Sequence, residues 1–399
     1  MTSLAHWWHG VSGLDPGVIP RNYLYSLAIR GRFNLIGSFP QLYRINLNTT
    51  AATSAAIRAV AGAPERSYLA SNVHITEFPN DLNNLVAITR LGDTAYATRD
   101  FQPESGRRRT DLWRVNLIRP GDSARIETII ETSSVLARVG VGGLTSDGTN
   151  LYTILKGSPA TIITVDKDTG VRGAAIATLS GLTESAEHLV YHDNGFYIFV
   201  GRHGEDHSIY YTTAPYTTLT RLWARGQSPR IAGLEILNGR IYISRLVESD
   251  SFNISTYYTR METLRVNYNN NNLPVTASPT EELGVGSLEL SSQRIQGTRF
   301  AGLLANPPPD LFASATRQSR GATITIRLED LTSISSIESA MLTASDNQTA
   351  TIELTREGDN VYTYTQTRIN NRWRSGSVTV IYMDGDNIRR TLTDTWVAV

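Results

Sequence analysis

The segment His203-Gly204-Glu205-Asp206-His207 sets two imidazoles four residues apart with carboxylates between them. On a helix that spacing would aim both rings at one metal ion. Here the flanks read as strands, Gly204 breaks a helix, and no third ligand accompanies the pair, so the spacing predicts a solvated loop and no metal. Arg107-Arg108-Arg109 follows Gly106 in the longest stretch between candidate strands. Such a run could grip a phosphate, a sulfated sugar or a carboxylate-rich partner through forked hydrogen bonds, although a solvated charged loop is its usual meaning. His6-Trp7-Trp8-His9 could hold an aromatic ligand or a metal, but Trp7 and Trp8 are better read as docking an N-terminal arm on the rest of the chain or on a partner subunit. The binding candidates are therefore Arg107, Arg108, Arg109, His203, Asp206, His207, Trp7 and Trp8.

Catalytic motifs are missing. The chain has no Cys, no G-x-S-x-G elbow and no glycine-rich phosphate loop, which removes thiol chemistry, Cys-based zinc sites and the common nucleotide cradles. Asp166-Lys167-Asp168-Thr169-Gly170 starts like a calcium loop but lacks the later ligands, and a tight turn is the simpler reading. No catalytic residue and no cofactor is nominated. Carboxylate-pair glycosidase chemistry stays open, because its two acids can come from anywhere in a sequence.

The elements that would position these residues are strands. In 399 residues, 37 basic side chains balance 37 acidic ones. A neutral chain is a poor general ligand for nucleic acid, which needs a basic face to displace counterions. Lys156 and Lys167 are the only lysines, and the remaining basic residues are arginine. No apolar run approaches the ~20 residues that cross a bilayer. Met1 to Gly13 has no basic start, apolar stretch or small-residue cleavage site, so the expectation is a cytosolic product without a secretory leader.

One pattern recurs: a strand, a tight turn, a strand with a central Tyr, a third strand and a fourth. Tyr152, Tyr197 and Tyr242 lie 45 residues apart, as do Leu144, Leu189 and Leu234. Alternating apolar and polar residues bury one face of each strand, and Asn-Gly or Asp-Gly pairs supply the positive φ of hairpin turns. Four-stranded units at this period must stack on neighbours to cover both faces, as propeller blades do. Ile162-Ile163-Thr164-Val165-Asp166-Lys167-Asp168-Thr169-Gly170 resembles the propeller repeats that end in an L-Y-x-I-D-x-x-T-G strand and turn, and Gln41 to Thr50 is a weaker copy. The resemblance implies a β-propeller over residues 23–303 with five blades or six. Gly284 to Leu290 reads as the start of a sixth, the N-terminal arm (1–22) as a donor of a closing strand, and the Ala-rich stretch Thr50 to Val60 as a fourth strand rather than a helix. Thr145-Ser146-Asp147-Gly148 is one residue short of a sialidase Asp-box and lacks its aromatic.

Asn306-Pro307-Pro308-Pro309-Asp310 marks a stiff spacer over 304–310. Beyond it, 311–399 alternates with period 2 through seven candidate strands, from Leu311 to Thr316 through Arg389 to Val399, with hairpin turns at Glu357-Gly358-Asp359-Asn360 and Asp384-Gly385-Asp386-Asn387. That spacing predicts an immunoglobulin-like β-sandwich. The fold expected is thus all-β: a five- or six-bladed β-propeller followed by an immunoglobulin-like sandwich. The layout resembles phage virion and tail-associated proteins. That resemblance implies a non-enzymatic structural or attachment protein, located in the virion, whose partners are other structural subunits of a larger assembly and a host surface glycan or protein, with no nucleic acid and no membrane insertion. The alternatives are a propeller glycan hydrolase or lyase, and a cellular surface or filament scaffold.

Overall fold

The computed structural model describes residues 23–29, 40–46, 67–72, 85–101, 109–131, 140–182, 184–202, 204–227, 231–237, 239–248, 257–287, 299–305, 307–331, 334–357, 361–384 and 388–399. It divides into two compact units, Tyr23–Pro307 and one built on Pro308–Val399. Among the described residues every regular element is a strand, apart from two single 3-10 turns at Pro120–Asp122 and Asn371–Arg374.

In the larger unit, three sheets are four-stranded antiparallel meanders in chain order. They are β4 (Leu85–Leu91) to β7 (Ala124–Glu131) through β5 (Thr94–Phe101) and β6 (Arg109–Val115); β8 (Val141–Ser146) to β11 (Arg172–Leu179) through β9 (Leu151–Leu155) and β10 (Ala160–Val165); and β12 (Ala186–His192) to β15 (Thr220–Arg225) through β13 (Gly195–Val200) and β14 (His207–Thr213). A fourth meander runs through β16 (Ile231–Leu237), β17 (Arg240–Glu248), β18 (Tyr257–Tyr268) and β19 (Pro274–Ser287). The fifth is assembled from both ends of the unit. Strands β1 (Tyr23–Ile29), β2 (Pro40–Asn46) and β3 (Ser67–Asn72) are completed by β20 (Arg299–Leu304), which pairs with β1.

The first strands of these sheets touch in cyclic order, β20 to β4, β8, β12, β16 and back to β20. Among the described residues this is the closed ring of a β-propeller, of five blades. Gly284–Ser287, read as the start of a sixth, instead ends β19 and pairs in parallel with Ser67–Ala70 of β3, joining the rims of two blades. The closing strand β20 comes from the C-terminal side, and the arm 1–22 and the stretch Thr50 to Val60 lie outside the described residues.

The packing follows from the repeat. Tyr152, Tyr197 and Tyr242 occupy the same register on second strands, opposite Thr145, Val190 and Glu235 of the first strands. Each blade sends one face into a core shared with the next. Leu112, Leu144 and Ile163 join the blades beginning at β4 and β8; Ile154, Leu189 and Phe196 join those of β8 and β12; Tyr197, Phe199, Ile236 and Ile243 join those of β12 and β16. Tyr197, Phe196 and Phe199 are fully buried, and each such side chain contributes roughly 1.5–3 kcal/mol of transfer free energy. At the axis the strands approach so closely that side chains are excluded. A Cβ on Gly143 would overlap the backbone N of Leu189, and one on Gly302 would lie 2.9 Å from Ile88 Cγ2. Both glycines also have φ in the left-handed region, at +94° and +73°.

The second unit is two four-stranded antiparallel sheets around one core. One sheet is ordered β21 (Asp310–Gln318), β22 (Gly321–Glu329), β26 (Val361–Arg368), β25 (Thr355–Glu357); the other β24 (Thr349–Ile352), β23 (Ile334–Ala344), β27 (Ser375–Asp384), β28 (Arg389–Val397). Ile324, Ile326 and Leu328 of the first sheet meet Leu342, Val378, Val380 and Tyr382 of the second, and Trp373 and Trp396 close the core. Trp396 Nε1 donates to the Trp373 carbonyl oxygen at 3.1 Å, so both tryptophans are interior residues. The stretch Thr349–Glu357 holds two strands: β24 and β25 belong to opposite sheets, and the chain crosses between them at Glu353-Leu354.

Candidate functional site

At one end of the blade β12–β15, three segments converge: the lead into β12, the β13–β14 connection and the exit from β15. They form an open polar cleft of about 270 Å³ lined by Glu184, Asp206, Ser208, Tyr210, Arg221, Ala224, Arg225 and Gly226. The strand ladder explains the selection. Ser208 and Tyr210 share one face of β14, opposite Ala224 and Arg221 of β15, while Ile209 and Tyr211 on the other face are buried in the apolar core toward the next blade. A register shift between Ile209 and Tyr210 re-aims β15, so that the adjacent Leu222 and Trp223 are both buried and Arg221 is left in the cleft.

The two carboxylates of the cleft sit on backbone that a polar network ties together. Gly201 N–H donates to the Ser185 carbonyl at 2.9 Å. Arg202 donates from Nη2 to Ser185 Oγ at 3.0 Å and from Nε to Glu187 Oε1 at 3.0 Å. Its own N–H is accepted by Glu205 Oε2 at 2.9 Å, and its carbonyl faces His207 Nε2 at 2.9 Å. One residue, Arg202, therefore holds both sides: its guanidinium takes Ser185 and Glu187 beside Glu184, and its backbone N–H and carbonyl take Glu205 and His207 on either side of Asp206. The network crosses to the preceding blade, where Lys156, after β9, donates to Glu187 Oε2 at 2.6 Å. Burial pushes the Glu187 carboxyl up, but the Lys156 charge and the hydrogen bonds from Lys156, Ser185 and Arg202 outweigh it and hold the group below its ordinary value.

A second cluster lies at the other end of the same blade. The β12–β13 hairpin turns on Asp193 and Asn194, both at positive φ (52° and 56°), the pattern of a type I′ turn. Asp193 Oδ2 accepts from Tyr197 Oη at 2.5 Å and from Tyr268 Oη, on the next blade, at 3.0 Å; its carbonyl accepts from Tyr211 Oη at 2.6 Å. Burial, then the Asp193 carboxylate, push the Tyr197 hydroxyl far above its ordinary value and Tyr268 up to about 12. These phenols are protonated donors that lock a turn to a neighbouring blade, and none is poised for proton transfer near neutral pH.

Among the residues singled out from the sequence, Asp206 lines the cleft. His207 is not in a solvated loop: it opens β14, is fully buried, and packs edge-on to Phe199 with centroids 5.0 Å apart. Arg109 opens β6 and pairs through Nε with the buried Asp111 at 3.3 Å, beside Arg125 Nε at 3.1 Å, so its charge serves a structural pair in its own blade. Arg107, Arg108, His203, Trp7 and Trp8 lie outside the described residues. Asp166 accepts from the N–H groups of Asp168 and Thr169 at 3.1 and 2.7 Å, the geometry of a side-chain-capped turn. Among the described residues no group of three or more His, Asp or Glu side chains is placed to hold a metal. The sequence reasoning missed Glu184, Tyr210, Arg221, Arg225 and the Arg202–Glu187–Lys156 network.

No protein-family model matches this chain, and no curated protein matches it. Among solved structures it is similar to an engineered GH43 glycoside hydrolase with endo-xylanase and exo-arabinofuranosidase activity (13% identity, 89% of this chain and 86% of that one, TM-score 0.37). It is also similar to the periplasmic gluconolactonase PpgL of Pseudomonas aeruginosa (10% identity, 94% and 96%, TM-score 0.34) and to the WD40 propeller domain of Doa1 (10% identity, 77% and 92%, TM-score 0.29). Likeness of this degree transfers no activity to the present chain. The expectation of a non-enzymatic virion attachment protein is corrected: these three structures are a glycoside hydrolase, a gluconolactonase and a propeller domain, and none of the three is described as a virion component.

Proposed function

We propose that this chain is a propeller enzyme acting on glycans, as a hydrolase or lyase, with the cleft on the blade β12–β15 as its active site. One observation carries the reading: Glu184 and Asp206 line the same open polar cavity, with Tyr210 and two arginines around them. Glycoside cleavage needs two carboxyl groups flanking the scissile bond, one to protonate the leaving oxygen and one to activate water or attack the sugar. The volume of about 270 Å³ lies just under the range of about 300–1,000 Å³ usual for small-molecule sites, which suits a single sugar unit at the end of a chain. The Arg202 network supplies the rigidity that acid–base chemistry requires of its groups.

The smaller unit is proposed as an immunoglobulin-like module. Named along the chain, its sheet orders are A-B-E-D and C′-C-F-G, the arrangement of that fold.

The test is a screen of plant, algal and bacterial polysaccharides for new reducing ends or unsaturated products, with Glu184→Gln and Asp206→Asn alongside the unaltered chain. Turnover that falls about 10²–10⁴-fold in each variant, the contribution of one acid–base group, supports the assignment. Turnover indifferent to both substitutions rejects this cleft, and no turnover on any polysaccharide rejects the enzyme reading.

A further inference from the structure

The charges of the cleft are sorted along its length. Tyr210 stands opposite Arg221, and His207 opposite Arg225. Asp206 lies just before β14, on the His207 side of Tyr210. Glu184 leads into β12, whose first residue, Ala186, pairs with Val200 at the end of β13, so it belongs to the same end as Asp206. The carboxylates thus occupy one end and Arg221 the other.

The two arginines are not equivalent. Arg225 sits at the carboxylate end, and its Nη1 donates to the buried Glu262 Oε2 at 3.2 Å, a charge-neutral pair that reaches across from the next blade. Arg221 makes no ion pair and no side-chain hydrogen bond with any described residue, and the Tyr210 hydroxyl beside it is equally unengaged. An unneutralised guanidinium next to a phenol offers a planar fork and a further donor, a combination matched to a carboxylate.

We infer that the cleft takes an acidic sugar, a hexuronate unit, whose ring carboxylate lies on Arg221 and Tyr210 with its glycosidic bond directed toward Glu184 and Asp206. This rests on the glycan reading and narrows it. The sorting of charge gives the reason for polarity: the acidic end repels the sugar carboxylate, so only one orientation places it on the cation.

The experiment is isothermal titration of the full chain with glucuronate, galacturonate, glucose and galactose, repeated on Arg221→Met and Arg221→Lys. The expected result is a preference of about tenfold or more for each uronate over its neutral partner, the effect of one charge-assisted contact. Arg221→Met abolishes that preference, bringing each uronate to the affinity of its neutral partner, while Arg221→Lys retains part of it, because the charge stays and the fork is lost. Equal binding of uronate and neutral sugar, or a preference that survives Arg221→Met, overturns the inference and leaves the glycan reading intact. Absence of binding by all four sugars overturns both.

Discussion

Lys156 is one of two lysines in the chain, and its ammonium lies 2.6 Å from Glu187 across a blade boundary. Side-chain exposure is 12% for Lys156 and 13% for Glu187, too little for water to screen the pair as it would on a surface. Replacing Glu187 by Gln keeps the volume and strands Lys156 and Arg202 without their anion. Removing one partner of a buried pair costs about 3–5 kcal/mol. Lys156→Met leaves Glu187 with Arg202 and loses one charged hydrogen bond, worth about 1.5–3 kcal/mol. In a unit as long as Tyr23–Pro307, 1 kcal/mol moves the melting midpoint by about 1.7 °C, so Glu187→Gln should lower it by about 5–8 °C and Lys156→Met by about half as much.

The pH dependence has a definite sign. The folded carboxyl of Glu187 is held below its ordinary value, so its contribution is complete above the unfolded pKa of about 4.3 and disappears as pH falls through the folded value. Calorimetry from pH 3 to 8 should show the gap between unaltered chain and Glu187→Gln widest above about pH 5 and closing in acid. A gap that is constant with pH, or Glu187→Gln melting with the unaltered chain at pH 7, would refute the argument that this ion pair locks the two blades.

Three further outcomes follow from the geometry. Gly143→Ala puts a Cβ onto the Leu189 backbone at a positive φ and should abolish folding of the larger unit, whereas Gly148→Ala, also at positive φ but with open space around it, should cost only about 1 kcal/mol; circular dichroism melts separate the two. Tyr268→Phe removes the inter-blade bond to Asp193 and should cost about 1.5–3 kcal/mol, read by urea unfolding. Ultraviolet titration should find Tyr152 and Tyr268, both raised to about 12 chiefly by burial and a neighbouring carboxylate, protonated at pH 10.5, where an exposed phenol is mostly ionised.

The fold was legible because each repeat reads out locally. Period-2 alternation, the hairpin turns and the equal spacing of Tyr152, Tyr197 and Tyr242 all act within one blade, and the observed registers place those tyrosines equivalently. Ring closure was not legible. Whether Gly284–Ser287 opens a new blade or ends an old one depends on its pairing with Ser67–Ala70, far away in sequence. The cleft was legible only at Asp206, in a segment read as a solvated loop, whereas its neighbour His207 opens β14 and packs on Phe199 in the interior. Glu184, Tyr210 and Arg221 stand in no motif. A strand register shift and the convergence of three connections assemble them, and nothing in their spacing announces it. The rarity of Lys156 was the one available signal for the network that braces the site.

The most direct measurement is an experimental structure of the Asp206→Asn chain with an oligosaccharide drawn from a positive polysaccharide screen. The account predicts sugar density along β14 and β15, with the bond to be broken within hydrogen-bonding reach of Glu184 and residue 206. Sugar bound elsewhere, for instance on the ring axis among β4, β8, β12, β16 and β20, with this cleft empty, would contradict it.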